Sequence, residues 1–504
     1  MKKRPVEIMD TTLRDGEQTS GMSFSASEKL TISKLLIEEL KIDRIEVASA
    51  RVSVGEFNAV QNITNWAKSN GYLNKIEILT FLDNGISLEW LLKTGAKVQN
   101  LLTKGSLNHL THQIKKTPKE HFDEINKSIF LAKSEGISTN VYLEDWSNGM
   151  RNSKEYVFDY LDFLTEQSVD RILLPDTLGI LSPSETFNYI SEIIKKYPKT
   201  HFDFHAHNDY DLSVSNVIES LKAGCHGLHL TVNGMGERAG NAPMASVAAV
   251  IRDFTPNIEI NLKEESLYKV SKLVSTFTGF RIPANKPIVG ENAFTQTAGI
   301  HADGDNKKNL YFNDLLPERF GRKRKYALGK TSGKSNIRKN LQELGLTLND
   351  SDLKKVTKRI IELGDKKEKL TADDLPYIIS DVLNSSNIKN KVIIKSYSLK
   401  HTKGINPSAE LEIEIDGNLF KEIGNGDGQF NAFMNAINKI YNNKIKLPTL
   451  IDYTVTIPRG SNSDSLCETL ITWKNEKKEF ITRGLDPDQT VSAIKATEKM
   501  LNII

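Results

Sequence analysis

Cysteine is scarce in this sequence. Cys225 and Cys467 are the two cysteines among 504 residues, and they lie in different halves of the chain. A small secreted fold held by disulfides needs several closely spaced cysteines, so that class is excluded. The cysteine content is typical of a protein from a reducing cytosol.

The sequence also lacks a long apolar run and an excess of charge of one sign. No stretch approaches the roughly 20 apolar residues of a membrane-spanning helix, and the N-terminus turns polar without the apolar core of a signal peptide. Lys and Arg number 67 against 64 Asp and Glu, which leaves a net charge of +3 and no electrostatic footprint for nucleic acid. We therefore expect a cytoplasmic protein that binds neither membranes nor nucleic acid.

A regular alternation of β-rich and helical segments fills the first 280 residues. The β-rich segments are VEIMDTT (6–12), RIEVAS (44–49), KIEILTF (75–81), KVQNLLT (97–103), STNVYLED (138–145), RILLPDT (171–177), HFDFHAHN (201–208) and GLHLTVNG (227–234). Helical patterns such as 27–40 and 184–197 lie between them. Alternation of this kind predicts parallel βα units, and eight units over about 250 residues are the size of a TIM barrel. The expected fold class is α/β, with a (β/α)₈ barrel at 1–281.

The alternation stops after residue 281. Residues 282–388 are loop-rich and basic, with helical patterns at 351–363 and 372–384, and are predicted to form a mixed linker region. The polar run NSSNIKNK (384–391) is a plausible boundary. Beyond it, 389–504 is predicted to be an α+β regulatory domain. Its expected elements are strands at 392–399 and 410–415, a helix at 429–442, a strand-rich stretch at 449–482 and a last helix at 489–503.

Polar and ionisable residues crowd the predicted carboxyl ends of the barrel strands, where barrel enzymes carry their active sites. From the first four strands these ends deliver Asp10, Arg14, Asp15, Glu46, Leu79, Phe81 and Leu102. From the last four they deliver Tyr142, Glu144, Asp176, Thr177, His205, His207, Asn208 and Asn241. This clustering indicates an enzyme.

His205 and His207 are the sharpest feature of that rim. Two positions apart on a strand, their side chains leave the same face about 6–7 Å apart at the backbone, so both can reach one cation. Asp15 and the amide oxygen of Asn241 come from neighbouring strands and complete a nitrogen and oxygen ligand set for a divalent metal. The alternative is one inward-facing and one hydrogen-bonded histidine. The stretch NGMGERAGN (233–241) is read as a tight loop that presents Asn241.

Two basic features have alternative interpretations. Arg14, beside Asp15, is placed to stabilise an alkoxide that forms on a metal-bound carbonyl. It is also placed for a salt bridge with Glu46 or Asp10, and the Glu46 bridge would orient it for that role. The run 322–325 (RKRK) could meet the phosphates of CoA, although such a run is more often a solvated face.

These motifs resemble a known family. DTTLRDGEQ (10–18), HAHND (205–209) and NGMGERAGN (233–241) resemble the signatures of the isopropylmalate, homocitrate and citramalate synthases, a family of metal-dependent barrel enzymes. TQTAGIHADG (295–304), NLY (309–311) and LGKTSGK (328–334) resemble the linker region of that family. GNGDGQFNAFMNAI (424–437) and TRGLDPDQT (482–490) resemble its allosteric amino-acid-binding domain.

The resemblance implies a role for each matching residue. Asp15, His205, His207 and Asn241 would hold Mn²⁺, Zn²⁺, Co²⁺ or Mg²⁺, while Arg14 and Thr177 would hold a 2-oxo acid. His301, Glu144 and Tyr311 would remove a proton from the methyl group of acetyl-CoA, the co-substrate, which Phe81, Asp303, Asn309 and Leu310 would border. Asp486, Pro487 and Gln489 would serve the effector, expected to be isoleucine. The linker of this family often reaches a partner's active site, which implies a homodimer.

The 2-oxo acid is predicted from three bulky residues. Leu79, Leu102 and Tyr142 come from adjacent strands and leave room for a methyl group, which favours pyruvate over 2-oxoisovalerate, although such residues can also be barrel packing. Nothing basic in this wall would take the second carboxylate of 2-oxoglutarate. The expected product is (R)-citramalate, and the nearest alternative is 2-isopropylmalate. A non-catalytic amino-acid sensor would lack a metal ligand or the base, and the sequence retains both.

Overall fold

The structure is a computed structural model that describes residues 3–305, 310, 313–344, 346–365, 370, 374–383, 392–441, 447–456, 467–476 and 479–503. The chain forms two compact units. The first comprises Met1–Thr295 and Phe312–Arg324, and the second comprises Gln296–Tyr311 and Lys325–Ile504. Each unit has its own apolar core.

Eight parallel strands close into a barrel in the first unit, in chain order, with the first strand paired to the last. The strands are β1 (Glu7–Asp10), β2 (Arg44–Ser49), β3 (Ile76–Phe81), β4 (Val98–Lys104), β5 (Ser138–Glu144), β6 (Arg171–Asp176), β7 (Phe202–Ala206) and β8 (Gly227–Leu230). Seven of them lie within the predicted segments and β4 extends one residue beyond its segment, so the predicted TIM barrel is confirmed.

Helices follow the strands around the barrel. They are α1 (Ala26–Lys34), α2 (Val54–Ser69), α3 (Ile86–Thr94), α4 (Pro118–Ser134), α5 (Lys154–Thr165), α6 (Pro183–Lys196), α7 (Ser213–Ala223), α8 (Met244–Phe254) and α9 (Leu267–Thr278). Three of them begin with a reciprocal capping box, in which a Ser or Thr and a Glu three residues later satisfy each other's backbone N–H groups. These sequence-local signals explain why the helices start where they do.

The apolar core of the first unit lies mainly between the strands and the helices. Side chains alternate along each strand, so Ile76 and Ile78 of β3 pack toward the helices, whereas Glu77, Leu79 and Phe81 share the opposite face. That inner face carries a small apolar cluster of its own and many polar residues. The lining of the barrel therefore differs in kind from its outer core.

The second unit contains two antiparallel three-stranded sheets. One is β9 (Val392–Thr402), β10 (Ile405–Ile415) and β11 (Asn418–Asn425), and the other is β12 (Thr449–Thr456), β13 (Cys467–Lys474) and β14 (Glu479–Asp486). The helices are α10 (Gly299–Asp305), α11 (Lys334–Glu343), α12 (Asp350–Asp365), α13 (Leu375–Leu383), α14 (Gln429–Tyr441) and α15 (Gln489–Ile503). The predicted C-terminal α+β region is confirmed, while the polar run 384–391 lies outside the described residues.

One strand of the second unit was not predicted. Strand β11 is exposed at every residue except Gly424, so it lacks the alternation of buried and exposed side chains that marks a strand in sequence. No helix in the described part of the chain is long and apolar enough to cross a membrane. Cys225 and Cys467 are both free and buried.

Candidate metal and substrate site

A carboxylate and two histidines meet at the carboxyl rim of the barrel. The Nε2 atoms of His205 and His207 lie 3.4 and 3.9 Å from Oδ2 of Asp15, and all three side chains are buried. Among the described residues this is the one group of three His, Cys, Asp or Glu side chains whose ligand atoms all lie within 4.8 Å of one another. The structure therefore brings together three of the four residues predicted to bind metal.

The protonation states of this cluster favour a cation. Burial lowers the pKa of His205 well below its usual range and also lowers the pKa of His207, so both imidazoles are neutral near pH 7. Burial alone would raise the pKa of Asp15, but the positive charge of Arg14 and the hydrogen bond from Asn241 help to outweigh it, and that pKa lies below its usual range. Neutral imidazoles and an ionised carboxylate are the forms that ligate metals.

Asn241 lies directly beside this cluster. Its backbone bridges to that of His207, its Nδ2 donates to Oδ1 of Asp15 over 3.1 Å, and its Oδ1 is buried without a hydrogen-bond partner. A buried acceptor without a partner needs an explanation, and a cation at this point would provide one. Two imidazoles, a carboxylate and an amide oxygen fit a divalent metal of the Zn²⁺, Mn²⁺ or Co²⁺ type.

The loop that carries Asn241 requires glycine. Gly240 has φ +84°, and a Cβ on it would meet the carbonyl oxygen of Gly234. Gly236 has φ +152°, and a Cβ there would meet the side-chain amide of Asn241. The closely spaced glycines of 233–241 thus form a tight turn that presents Asn241, as the sequence predicted.

Arg14 is held by three side chains. Its Nε donates to Glu46 over 2.5 Å, one terminal nitrogen donates to Asp15 over 3.0 Å, and the other lies 3.4 Å from the hydroxyl of Tyr142. Of the two salt-bridge partners considered, Glu46 is the one the structure shows. Asp10 instead accepts from the backbone and hydroxyl of Thr12. The guanidinium of Arg14 therefore lies beside the metal cluster, and its three hydrogen bonds hold its orientation.

A buried lysine that the sequence analysis missed holds the Arg14 loop. The Nζ of Lys29 donates to the carbonyl oxygens of Leu13 and Val47 over 3.0 and 3.3 Å, and it pairs with Glu17 and Glu56. It comes from α1, on the helix face that also buries Ile32 and Leu36. A charged residue within an apolar helical stripe was the signal that could have revealed it.

The three predicted wall residues form a cluster inside the barrel. Leu79 and Tyr142 are buried and pack with Met9 and Leu173, and half-buried Leu102 lies against them. Met9 and Leu173 were not predicted to belong to this wall. The hydroxyl contact between Tyr142 and Arg14 places the wall next to the guanidinium.

Comparison with known proteins identifies the family. A family model described as HMGL-like matches residues 5–274, which is more than half of the chain. This chain belongs to the HMGL-like family. A model described as homocitrate synthase post-HMGL domain-like matches 288–368, and one described as LeuA allosteric (dimerisation) domain matches 369–504.

Two curated relatives match almost the whole of this chain. The chain is 31% identical to a 2-isopropylmalate synthase of Methanocaldococcus jannaschii, covering 99% of this chain and 94% of that one. It is 32% identical to a protein of Archaeoglobus fulgidus that is provisionally named (R)-citramalate synthase, covering 99% of both chains. The two names occur at nearly the same identity, so identity does not distinguish between them.

Two further rim residues of the HMGL-like barrel have partners that the sequence did not reveal. Glu144, at the end of β5, pairs with Lys104 at the end of β4. The hydroxyl oxygen of Thr177 accepts the backbone N–H of Asp145 over 2.9 Å, which leaves its own proton for another acceptor. Asp145 adopts a left-handed φ of +64°, a rare conformation for a residue with a side chain. Phe81, the residue at the end of β3 that was predicted to border acetyl-CoA, is 37% exposed.

The remaining predicted residues belong to the second unit. His301 and Leu310 are exposed, and half-buried Asp303 lies with His301 on α10, whereas Asn309 and Tyr311 lie outside the described residues. Asp486, Pro487 and Gln489 form the turn between β14 and α15, in which Asp486 accepts from Lys495 over 2.7 Å and the other two are exposed. The roles predicted for these residues stay predictions.

The basic run at 322–325 was expected either to contact the phosphates of CoA or to form a solvated face. Its first residue, Arg322, does neither. Arg322 is buried, donates to the carbonyl oxygens of Ile288 and Gly290, and stacks over the rings of Tyr268 and Phe294. It is neither a solvated charge nor a free phosphate ligand, because its donors are used within the first unit.

Proposed function

We propose that this HMGL-like enzyme condenses acetyl-CoA with pyruvate and water to give (R)-citramalate and CoA, a step toward isoleucine. The observation that carries the proposal is the wall of Met9, Leu79, Leu102, Tyr142 and Leu173 beside Arg14. A 2-oxo acid whose carbonyl oxygen meets Arg14 would turn its substituent toward this wall. The wall is apolar and closely packed, which suits a methyl group.

The residues around the wall suit the binding of a 2-oxo acid. Asp15, His205, His207 and Asn241 would hold a divalent cation, which supplies a Lewis acid for the ketone. Arg14 keeps one terminal nitrogen near Tyr142 and one near Asp15, and its charge beside this cluster would stabilise the negative charge that develops on the carbonyl oxygen. The Thr177 hydroxyl would donate a hydrogen bond to the carboxylate of the 2-oxo acid.

The reaction needs a base and a nucleophilic carbon. In the proposed sequence His301, assisted by Glu144 and Tyr311, takes a proton from the methyl group of acetyl-CoA. The resulting carbanion forms a bond with the ketone carbon of pyruvate, and the carbonyl electron pair moves to the oxygen that Arg14 stabilises. The alkoxide takes up the proton that His301 removed from the methyl group, and water then cleaves the thioester and releases CoA. Phe81, Asp303, Asn309 and Leu310 are proposed to border the acetyl-CoA.

The second candidate is 2-isopropylmalate synthesis from 2-oxoisovalerate, which is favoured by the name of the Methanocaldococcus relative. A thiol-release assay with acetyl-CoA and a panel of pyruvate, 2-oxobutyrate, 2-oxoisovalerate and 2-oxoglutarate separates the two. We expect the highest kcat/KM with pyruvate. Faster turnover of 2-oxoisovalerate would replace the first proposal with the second. Release with none of them, in metal-loaded protein, would support the non-catalytic sensor.

We also propose that the second unit binds isoleucine and that the enzyme is a homodimer, in keeping with the match to the LeuA allosteric (dimerisation) domain. Gln489→Ala, at the first residue of α15, should raise the isoleucine concentration needed for half inhibition without lowering the uninhibited rate. Glu479→Ala, at the exposed start of β14, is the matched control. Inhibition that is equal in both variants would place the effector elsewhere.

A further inference from the structure

The interior of this barrel is unusually polar. TIM barrels are filled mainly by bulky branched apolar side chains, but here five inward-facing polar residues of the strands, in addition to Glu46, are no more than 1% exposed. They are Glu77, Asn100, Asn140, Asp203 and His229. Each is hydrogen-bonded to another polar side chain. Burial of so many polar groups is costly unless they are satisfied, so their arrangement calls for an explanation.

These residues form two chains of hydrogen bonds that both run from Arg44 to Arg14. The first passes from Arg44 through Glu77, Asn140, Asn100 and Glu46, and each link is between 2.5 and 3.3 Å. It ends on Nε of Arg14. This chain fixes one side of the guanidinium.

The second chain runs through His229, a buried histidine to which the proposed reaction gives no part. Arg44 pairs with Asp203 over 2.5 Å, Asp203 lies 3.1 Å from Nε2 of His229, and Nδ1 of His229 lies 2.9 Å from the hydroxyl of Tyr142. The same hydroxyl lies 3.4 Å from a terminal nitrogen of Arg14. This chain therefore ends on a terminal nitrogen of the guanidinium, whereas the first ends on Nε.

The direction of each hydrogen bond in the second chain follows from which groups can donate. A guanidinium has only donors, so the oxygen of Tyr142 accepts from Arg14, and donation to Nδ1 of His229 is the arrangement that also gives the hydroxyl proton a partner. Nδ1 of His229 is therefore the acceptor and carries no proton. Nε2 then carries the proton of the neutral ring and donates it to the carboxylate of Asp203. One tautomer of His229 satisfies every contact.

We infer that His229 is a positioning residue that, together with Asp203, fixes the Tyr142 hydroxyl as an acceptor for Arg14 and the Tyr142 ring as part of the substrate wall. The effect on turnover rests on the proposed function, because it assumes that Arg14 stabilises the charge of the condensation. The hydrogen-bond assignment itself does not. His229 acts through Tyr142 and touches no substrate.

A double-mutant cycle tests this coupling. His229→Gln keeps a donor for Asp203 but removes the acceptor for Tyr142, and we expect kcat with pyruvate to fall about tenfold with a smaller change in KM. Tyr142→Phe removes the hydroxyl from the same contact. Because both changes break one chain, the double variant should be no slower than the slower single variant. Losses that multiply in the double variant would overturn the inference.

A conservative variant separates positioning from packing. His229→Asn places an amide oxygen where Nδ1 stood, so it keeps the acceptor and gives up the donor to Asp203. His229→Asn should recover most of the rate lost in His229→Gln, although both variants replace the imidazole ring with a side-chain amide. A thermal unfolding midpoint for each variant shows whether the barrel has folded. Equal rates for the two folded variants would contradict the inference.

The last measurement needs no turnover and uses the full chain loaded with Zn²⁺. In ¹⁵N spectra of labelled histidine, one ring should be protonated at Nε2 and bare at Nδ1, and that Nδ1 signal should move in Tyr142→Phe. A His229 ring that is protonated at Nδ1, identified as the signal that disappears in His229→Gln, would overturn the inference even if the proposed reaction were correct, and so would a His229 signal that does not move. If the enzyme turned over no 2-oxo acid but this signal moved, the proposed function would fail and the assignment would stand.

Discussion

The two ends of the barrel hold similar side chains in different states. At the amino end, Arg44 is paired with Glu7, Glu77 and Asp203, so its charge is compensated inside the protein. At the carboxyl end, His205 and His207 converge on Asp15, and the neighbouring Asn241 keeps an unpartnered buried oxygen. The difference indicates that one end stabilises the fold and the other binds ligands, which is the division of labour expected of a barrel enzyme.

The largest expected effect comes from the carboxyl end. His205→Ala should lower kcat roughly 1,000-fold or more and abolish bound metal, because a metal ion stabilises transition-state charge by several kcal/mol. Metal content by atomic emission and thiol release measure the two losses. His201→Ala removes a half-buried histidine at the amino end and should keep the metal. If both variants kept a full complement of metal, the contrast between the ends would be wrong.

Removing the compensating charge at the amino end should act on stability instead. Arg44→Met leaves Glu77 and Asp203 buried without their cation, and breaking a buried pair in this way costs about 3–5 kcal/mol. Chemical denaturation of the barrel followed by circular dichroism measures this loss. The folded variant should still bind metal. An unchanged denaturation midpoint would show that the buried pair contributes nothing to stability.

Much of this contrast could be predicted from sequence. The eight strands and the meeting of Asp15, His205 and His207 follow from local periodicity and from the rule that parallel strands end at one rim. The contacts of Lys29, Lys104 and His229 could not be predicted. Each depends on partners from distant strands or helices, and the pattern of a single sequence does not show which distant elements meet. The same holds for Met9 and Leu173, whose place in the wall depends on barrel closure.

Asp10 at the carboxyl end of the barrel and Asp203 toward the amino end are buried carboxyl groups whose pKa values shift in opposite directions. Burial raises the pKa of Asp10 to about 7, whereas Arg44 and two histidines outweigh burial and hold the pKa of Asp203 well below its usual range. Folded Asp10 thus binds its proton more tightly than the unfolded chain, so this group's stabilisation is lost as pH rises toward 7. The slope is at most about 1.4 kcal/mol per pH unit.

Asp10→Asn should remove this dependence, since a neutral amide resembles the protonated acid. The free energy of unfolding of the variant, relative to the natural protein, should therefore rise between pH 4.5 and 7, roughly the window set by the unfolded and folded pKa values. Urea titrations at several pH values measure the difference. A difference that stayed constant with pH would show that Asp10 titrates normally.

The smallest expected effect concerns specificity. Leu102→Ala opens the apolar wall, so kcat/KM for 2-oxoisovalerate relative to pyruvate should rise by about 10-fold, within the 1–3 kcal/mol that a pocket gains or loses per methylene. Leu101→Ala, on the outer face of the same strand, changes the barrel core but not the wall and is the matched control. If the ratio of kcat/KM for 2-oxoisovalerate to that for pyruvate rose equally in both variants, the change would reflect loosened packing of the barrel and not the opened wall.

The most direct test of the account is removal and return of metal. After exhaustive chelation, thiol release from acetyl-CoA with pyruvate should fall to background, and Mn²⁺, Zn²⁺ or Co²⁺ should restore it in the natural protein but not in Asp15→Asn. That outcome would tie catalysis to the cluster of Asp15, His205 and His207. Full activity of the metal-free protein would contradict the account.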